Sequence, residues 1–89
     1  MRVTFDPAKS ERNRTERGLG FEMVAAFDFD TALIWIDSRF DYGEARYVAL
    51  GLIDGRVHAT VFTETATGIR VISLRKANQR EVKRYELHR

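Results

Sequence analysis

Apolar residues gather in four short runs over the C-terminal two-thirds of the chain, each bounded by polar or turn-forming residues. Thr31 to Asp37 contains Leu33, Ile34, Trp35 and Ile36, and Arg46 to Ile53 reads RYVALGLI; Val57 to Thr63 reads VHATVFT, and Ile69 to Leu74 reads IRVISL. Runs of this length, rich in β-branched and aromatic side chains, predict strands. Between the second and third runs, Asp54-Gly55 suits a type I′ turn, because both central positions of that turn need positive φ. Thr65 to Gly68 closes the next hairpin, so the last three of these strands should form an antiparallel meander. Arg2 to Phe5 alternates polar and apolar and permits a further short edge strand.

Helical signals lie at the two ends. Asp6-Pro7 starts a helix, with Asp6 as cap and Pro7 in the first turn, and Gly18 stands where a C-cap belongs. The helix from about Pro7 to Arg17 has Ala8 as its only apolar residue besides proline; Lys9, Glu11, Arg12, Arg14, Glu16 and Arg17 make it a solvated element, with Arg12 and Glu16 spaced as an i, i+4 pair. Gly20 opens a second short helix, Phe21 to Phe27, whose Phe21, Val24 and Ala25 fall on one side and should dock on the sheet. Asn78 and Glu81 form a capping box that begins a terminal helix. Ser38 to Glu44 reads as a mobile loop, whose Phe40 and Tyr42 either cover the sheet edge or stack on bases.

Composition narrows the class. Eighty-nine residues with 44% apolar and 31% charged side chains make one domain, residues 1–89, with a small core. Without cysteine there are no disulfides or thiolate metal sites. No apolar run approaches the roughly 20 residues a membrane span needs, and the first residues lack a signal-peptide core, so a cytoplasmic location is expected. Charge is strongly polarised: from residue 70 onward there are seven bases (Arg70, Arg75, Lys76, Arg80, Lys83, Arg84, Arg89) and two acids, net +5, against eight bases and eleven acids, net −3, in the rest. A basic strand-to-helix junction is either a patch for a polyanion or a solvated face. P-loop, dinucleotide-binding and H-E-x-x-H patterns are absent. His58 and His88 cannot make a metal cluster, and Ser10, Ser38 and Ser73 lack a nucleophile elbow. No metal or cofactor is expected.

The order of landmarks resembles the BrnT family of bacterial type II toxins from Phe5 to Glu86. They are Phe5-Asp6-Pro7 with Lys9 and Asn13, Gly18 with Phe21-Glu22, Phe27-Asp28, Gly43-Glu44-Ala45-Arg46-Tyr47, Gly51, Ile69 to Ala77, Arg80-Glu81 and Tyr85-Glu86. The chain departs from the family at Glu16 and Arg17, where relatives usually carry a basic residue and a histidine. At Ser73-Leu74-Arg75 it differs from their serine, alanine, arginine run. The resemblance implies a compact α+β domain of the RelE-like type, with two N-terminal helices, an antiparallel sheet of four strands or five, and a C-terminal helix. It also implies an RNA-cleaving activity that blocks translation, and a hetero-oligomer with a BrnA-like ribbon-helix-helix antitoxin that neutralises the toxin. The alternatives are a non-catalytic nucleic-acid-binding module and an antitoxin-binding co-repressor.

Attack of a ribose 2′-hydroxyl on the neighbouring phosphate builds negative charge that fixed cations stabilise, with no metal required. Arg75 and Lys76 end a strand and are the first candidates, with Arg80 one helical turn beyond. Arg46 joins them only if its strand neighbours the last one, which a meander opposes. Glu44 and Tyr85 are candidate proton-transfer groups; Lys9, Lys83 and Arg84, with Arg80, are candidate RNA contacts. Each has a structural rival: an ion pair between Glu44 and Arg46, a pair between Arg75 and Glu81 or an antitoxin acid, and a core-anchor role for Tyr85.

Overall fold

The computed structural model describes residues 1–88; Arg89, counted above in the basic C-terminus, lies outside the described residues. Five strands, β1 (Arg2–Phe5), β2 (Leu33–Ile36), β3 (Tyr47–Ile53), β4 (Arg56–Glu64) and β5 (Gly68–Lys76), form one sheet in the order β1-β5-β4-β3-β2. The three hairpin partners β3, β4 and β5 are the expected meander, and Asp54 (φ 50°) and Gly55 (φ 76°) make the expected turn between β3 and β4. β1 does pair, and it does so parallel to β5, with Arg2 opposite Gly68. A side chain at Gly68 would put its Cβ 2.0 Å from the Arg2 carbonyl oxygen, so only glycine lets β1 approach.

Helix α1 (Pro7–Arg17) begins and ends as its sequence dictates: the Asp6 carboxylate accepts from the Ala8 amide, and Gly18 closes it in the left-handed conformation at φ 74°. Its charged face is laced by Glu11 with Arg14, in place of the expected Arg12 with Glu16. The second N-terminal helix is not an α-helix. Phe21–Ala26 is a 3₁₀ helix, and the reason is local: only Phe21 and Val24, three apart, are buried, and that spacing eclipses in a 3₁₀ turn. The Ser10 hydroxyl accepts from the Phe21 amide at 2.9 Å and pins its start to α1.

The sheet carries a core on each face. Against α1 and the 3₁₀ helix it buries Phe21, Val24, Phe27, Ala49, Phe62, Ile69, Val71 and Leu74; against α2 (Gln79–His88) it buries Leu50, Val57 and Ala59 with Tyr85. The expected capping box starts α2: Glu81 N–H donates to Asn78 Oδ1 at 2.9 Å, and Asn78 N–H donates to Glu81 Oε1 at 3.0 Å. Among the described residues no helix is long and apolar enough to cross a membrane.

Asn13 ties α1 to the far end of β5. Its side-chain amide donates to Leu19 O at 2.7 Å and to Leu74 O at 2.9 Å, so one residue fastens the helix exit and the strand next to Arg75. Asn13→Ala leaves two partly buried carbonyls without these donors and is expected to cost about 1–3 kcal/mol, read as a lower urea midpoint at unchanged slope. An unchanged midpoint would mean that neither bond contributes.

Candidate functional site

Whether a residue of β5 faces α1 or α2 is decided by a bulge. Val61 pairs with Ser73 but Phe62 pairs with Val71, so Ile72 is an extra residue with no partner across the ladder. Strict alternation would put Val71 on the same face as Ser73 and Arg75. The bulge instead sends Ile69, Val71 and Leu74 into the core beneath the 3₁₀ helix and aims Ser73 and Arg75 at the α2 side. Helix α2 covers only part of that side. What it leaves open is a groove of about 270 Å³, floored by Trp35, Val48, Ala59 and Val61, and walled by Asp37 and Arg39 from β2's exit and by Ser73, Arg75 and Glu81.

Both groove arginines are held by carboxylates. Arg75 donates to Glu81 through Nη1 at 2.6 Å and Nη2 at 2.9 Å, while Glu81 keeps its capping bond to Asn78. Arg39 donates to Asp37 through Nε and Nη2, each at 2.8 Å, and the Tyr42 hydroxyl donates to the same carboxylate at 3.3 Å. The Asp37 side chain is only 2% exposed, so the fork is anchored in protein and reaches outward. Hydrogen bonds from Arg39 hold the Asp37 carboxyl well below the ordinary carboxylate range, against the opposing effect of burial. Those from Arg75 lower Glu81 in the same way, with the Asn78 amide assisting. Arg75 is raised above its ordinary value, chiefly by its hydrogen bonds to Glu81, and it lines the same groove as Arg39.

These pairs carry a pH signature. Because the folded chain holds both carboxyls below their ordinary values of 3.8 for Asp37 and 4.5 for Glu81, the unfolded chain binds more protons as pH falls through that range. Their stabilisation is therefore complete above about pH 5 and is lost progressively at lower pH. Thermal melts should show a constant midpoint from pH 7 to about 5 and a decline below. Glu81→Gln with Asp37→Asn should flatten the decline; an equally steep decline in that double variant would place the acid sensitivity elsewhere.

The other candidates are dispersed. Lys76 follows Arg75 in the same strand, so its exposed side chain leaves by the opposite face, and the two do not converge. Arg80 and Lys83 are exposed on α2, and Arg84 lies with its guanidinium carbon 4.2 Å from the centre of the Trp35 ring, at the groove's edge. Lys9 is carried by α1, across the sheet from the groove, as are the departing Glu16 and Arg17. Arg46 does not join Arg75: β4 lies between their strands, and Tyr47 is level with Val71 while Arg75 is level with Leu50. Arg46 instead stacks over Tyr42 at 3.9 Å and lies 3.9 Å from Glu44, whose side chain is 52% exposed and does not line the groove. Tyr85 is 1% exposed, with its hydroxyl 3.2 Å from Thr31 Oγ1; it anchors α2 in the core and does not line the groove.

Trp35, Asp37 and Arg39 were missed by sequence reasoning. The signal was an Asp-x-Arg spacing at a strand exit, inside what read as a mobile loop. In fact Asp37 fastens that loop through the Arg39 side chain, the Arg39 amide at 3.2 Å and Tyr42. Of the two loop aromatics, Tyr42 is half-buried and Phe40 is exposed, touching Tyr42 edge-on.

Comparison with curated proteins and with solved structures returns no match. The model of one family, described as the ribonuclease toxin BrnT of type II toxin-antitoxin systems, matches residues 5–81 of the 89. That span takes in α1, all of β2 to β5 and the groove as far as Glu81, and membership implies an antitoxin partner. The chain belongs to the BrnT family of ribonuclease toxins.

Proposed function

We propose that this chain is a metal-independent endoribonuclease, that it blocks translation by cutting RNA in the groove between the β2 exit and α2, and that a BrnA-like ribbon-helix-helix antitoxin neutralises it. The observation that carries the proposal is the Arg75 guanidinium, aimed from a bulged strand into an open groove that a second arginine, Arg39, also lines.

Pairing with carboxylates does not consume these cations. A guanidinium has five N–H donors. Glu81 takes two from Arg75 and Asp37 takes two side-chain donors from Arg39, which leaves three on each for phosphoryl oxygens. The pairs also fix orientation in advance, so little reorganisation accompanies the build-up of charge when the 2′-oxygen attacks phosphorus and the 5′-oxygen leaves. Two carboxylates and the arginines Arg39, Arg75 and Arg84 give the groove a net charge near +1. Ground-state attraction for RNA is therefore modest, and the cations act where charge develops. Asp37 and Glu81, both lowered, are weak bases, which puts the weight of catalysis on phosphoryl charge stabilisation.

Purified protein incubated with RNA in excess EDTA should leave fragments ending in 2′,3′-cyclic phosphate and 5′-hydroxyl. Intact RNA in EDTA would remove the metal-independent reading, and salt-sensitive binding without cleavage would favour the non-catalytic module.

A further inference from the structure

We propose that Trp35 is the seat of an unpaired nucleobase, so that the groove accepts single-stranded RNA with one base turned out of its stack. This rests on the reading of the groove as the RNA site and adds its substrate class. Trp35 belongs to β2, the last strand at one edge of the sheet, where Leu33 and Trp35 alternate with Ile34 and Ile36. Leu33 and Trp35 pack against the core beneath α2, and Trp35 also floors the groove that Arg75 walls. A half-buried indole whose ring borders an open groove, beside cations that suit phosphate, is the pairing of platform and backbone clamp that single-stranded nucleic acid needs.

Arg84 is the second observation. It stands one helical turn after Glu81, the residue that holds Arg75, and its guanidinium carbon lies over the indole, 4.2 Å from the ring centre. A planar cation there occupies the space of a stacked base. An exposed cation–π contact is the weaker of the two interactions, so a base displaces Arg84, or stacks on it, and the released guanidinium finds the adjacent phosphate. Duplex RNA keeps its bases stacked and withheld in a narrow groove, so it should bind poorly at this position.

Trp35 is the only tryptophan in the chain, which makes the test specific. A short 2′-O-methyl oligoribonucleotide, which lacks the attacking hydroxyl, is titrated into the full chain while intrinsic fluorescence and the anisotropy of a dye on the oligonucleotide are followed together. Saturable quenching is expected, and an otherwise identical oligonucleotide carrying one abasic position should bind roughly 10-fold to 100-fold more weakly. Trp35→Phe should keep most of the discrimination between intact and abasic probes, and Trp35→Ala should erase it even where thermal melts show the variant folded. Binding by anisotropy with no quenching, or equal affinity for intact and abasic probes, overturns the base seat and leaves the groove as a backbone site. Absence of binding in both readouts overturns the RNA site and the base seat together. Base-dependent quenching by a chain that leaves ordinary RNA uncut sustains the base seat and removes the ribonuclease reading.

Discussion

Replacing Arg75 by alanine is expected to slow RNA cleavage on the order of 10²–10³-fold, with growth arrest relieved on expression and the fold retained. The magnitude is that of one well-placed donor to a developing oxyanion, about 2.7–4 kcal/mol of transition-state stabilisation. Arg75 merits the upper part of that range on three grounds. It leaves a strand whose register is set by a bulge, it is locked by two hydrogen bonds to Glu81, and it shares the groove with Arg39. Its side chain is 42% exposed, so the ion pair itself adds little to stability. The loss should therefore fall on kcat, with a melting temperature within a few degrees of the parent. Arg75→Lys keeps the charge but not the planar fork and should recover only a small part of the rate. Lys76→Ala should lower cleavage far less than Arg75→Ala, because Lys76 points to the other face. A Lys76 defect as large as that of Arg75 would mean that RNA wraps the sheet end instead of entering the groove.

Tyr85→Ala should be the most destabilising single change on the α2 side, costing about 3–5 kcal/mol. A chain of this length has on the order of 4–13 kcal/mol in all, so the substitution removes a substantial share of the total. Tyr85 is among the largest fully buried side chains and joins Leu50, Val57 and Ala59 to α2, with Val82 beside it. Removing the ring detaches the helix that carries Glu81 and Arg84. Tyr85→Phe keeps the ring and gives up the contact with Thr31, for about 0.5–1.5 kcal/mol. Cleavage by Tyr85→Phe should stay within a few-fold of the parent, measured below the melting transition of both. A loss of rate beyond 100-fold in a fully folded Tyr85→Phe would return the hydroxyl to the chemistry.

Local chemistry was legible in the sequence wherever neighbours along the chain supply both partners. Asp6 with Ala8, Gly18, the Asp54-Gly55 turn and the reciprocal bonds of Asn78 and Glu81 all form as their residue types and spacing require. Features set by distant partners were not legible. Whether Arg2–Phe5 pairs depends on Gly68, more than 60 residues away, which gives its backbone room. The bulge at Ile72 cannot be seen in IRVISL, since the apolar residues there fit either face, and yet it decides that Arg75 and Leu74 part company. Convergence of Arg75, Lys76 and Arg80 was expected from their closeness in sequence. Strand alternation separates the first two, and the cation that shares the groove with Arg75 comes from Arg39, 36 positions earlier, whose side chain is held by Asp37. Of the RNA-contact candidates on α2, Arg84 alone is brought to the groove edge, by the ring of Trp35.

Nuclear magnetic resonance of the arginine Nε–H and tryptophan indole N–H groups, followed as a 2′-O-methyl oligoribonucleotide is added to the folded chain, locates the RNA without requiring turnover. Signals of Arg39, Arg75, Arg84 and Trp35 should move together along one binding curve, with Arg12 and Arg17 of α1 unmoved. Shifts confined to α1 and to the face of the sheet that bears Lys76, with Arg75 still signalling its bond to Glu81 undisturbed, would contradict the groove as the place where RNA is cut.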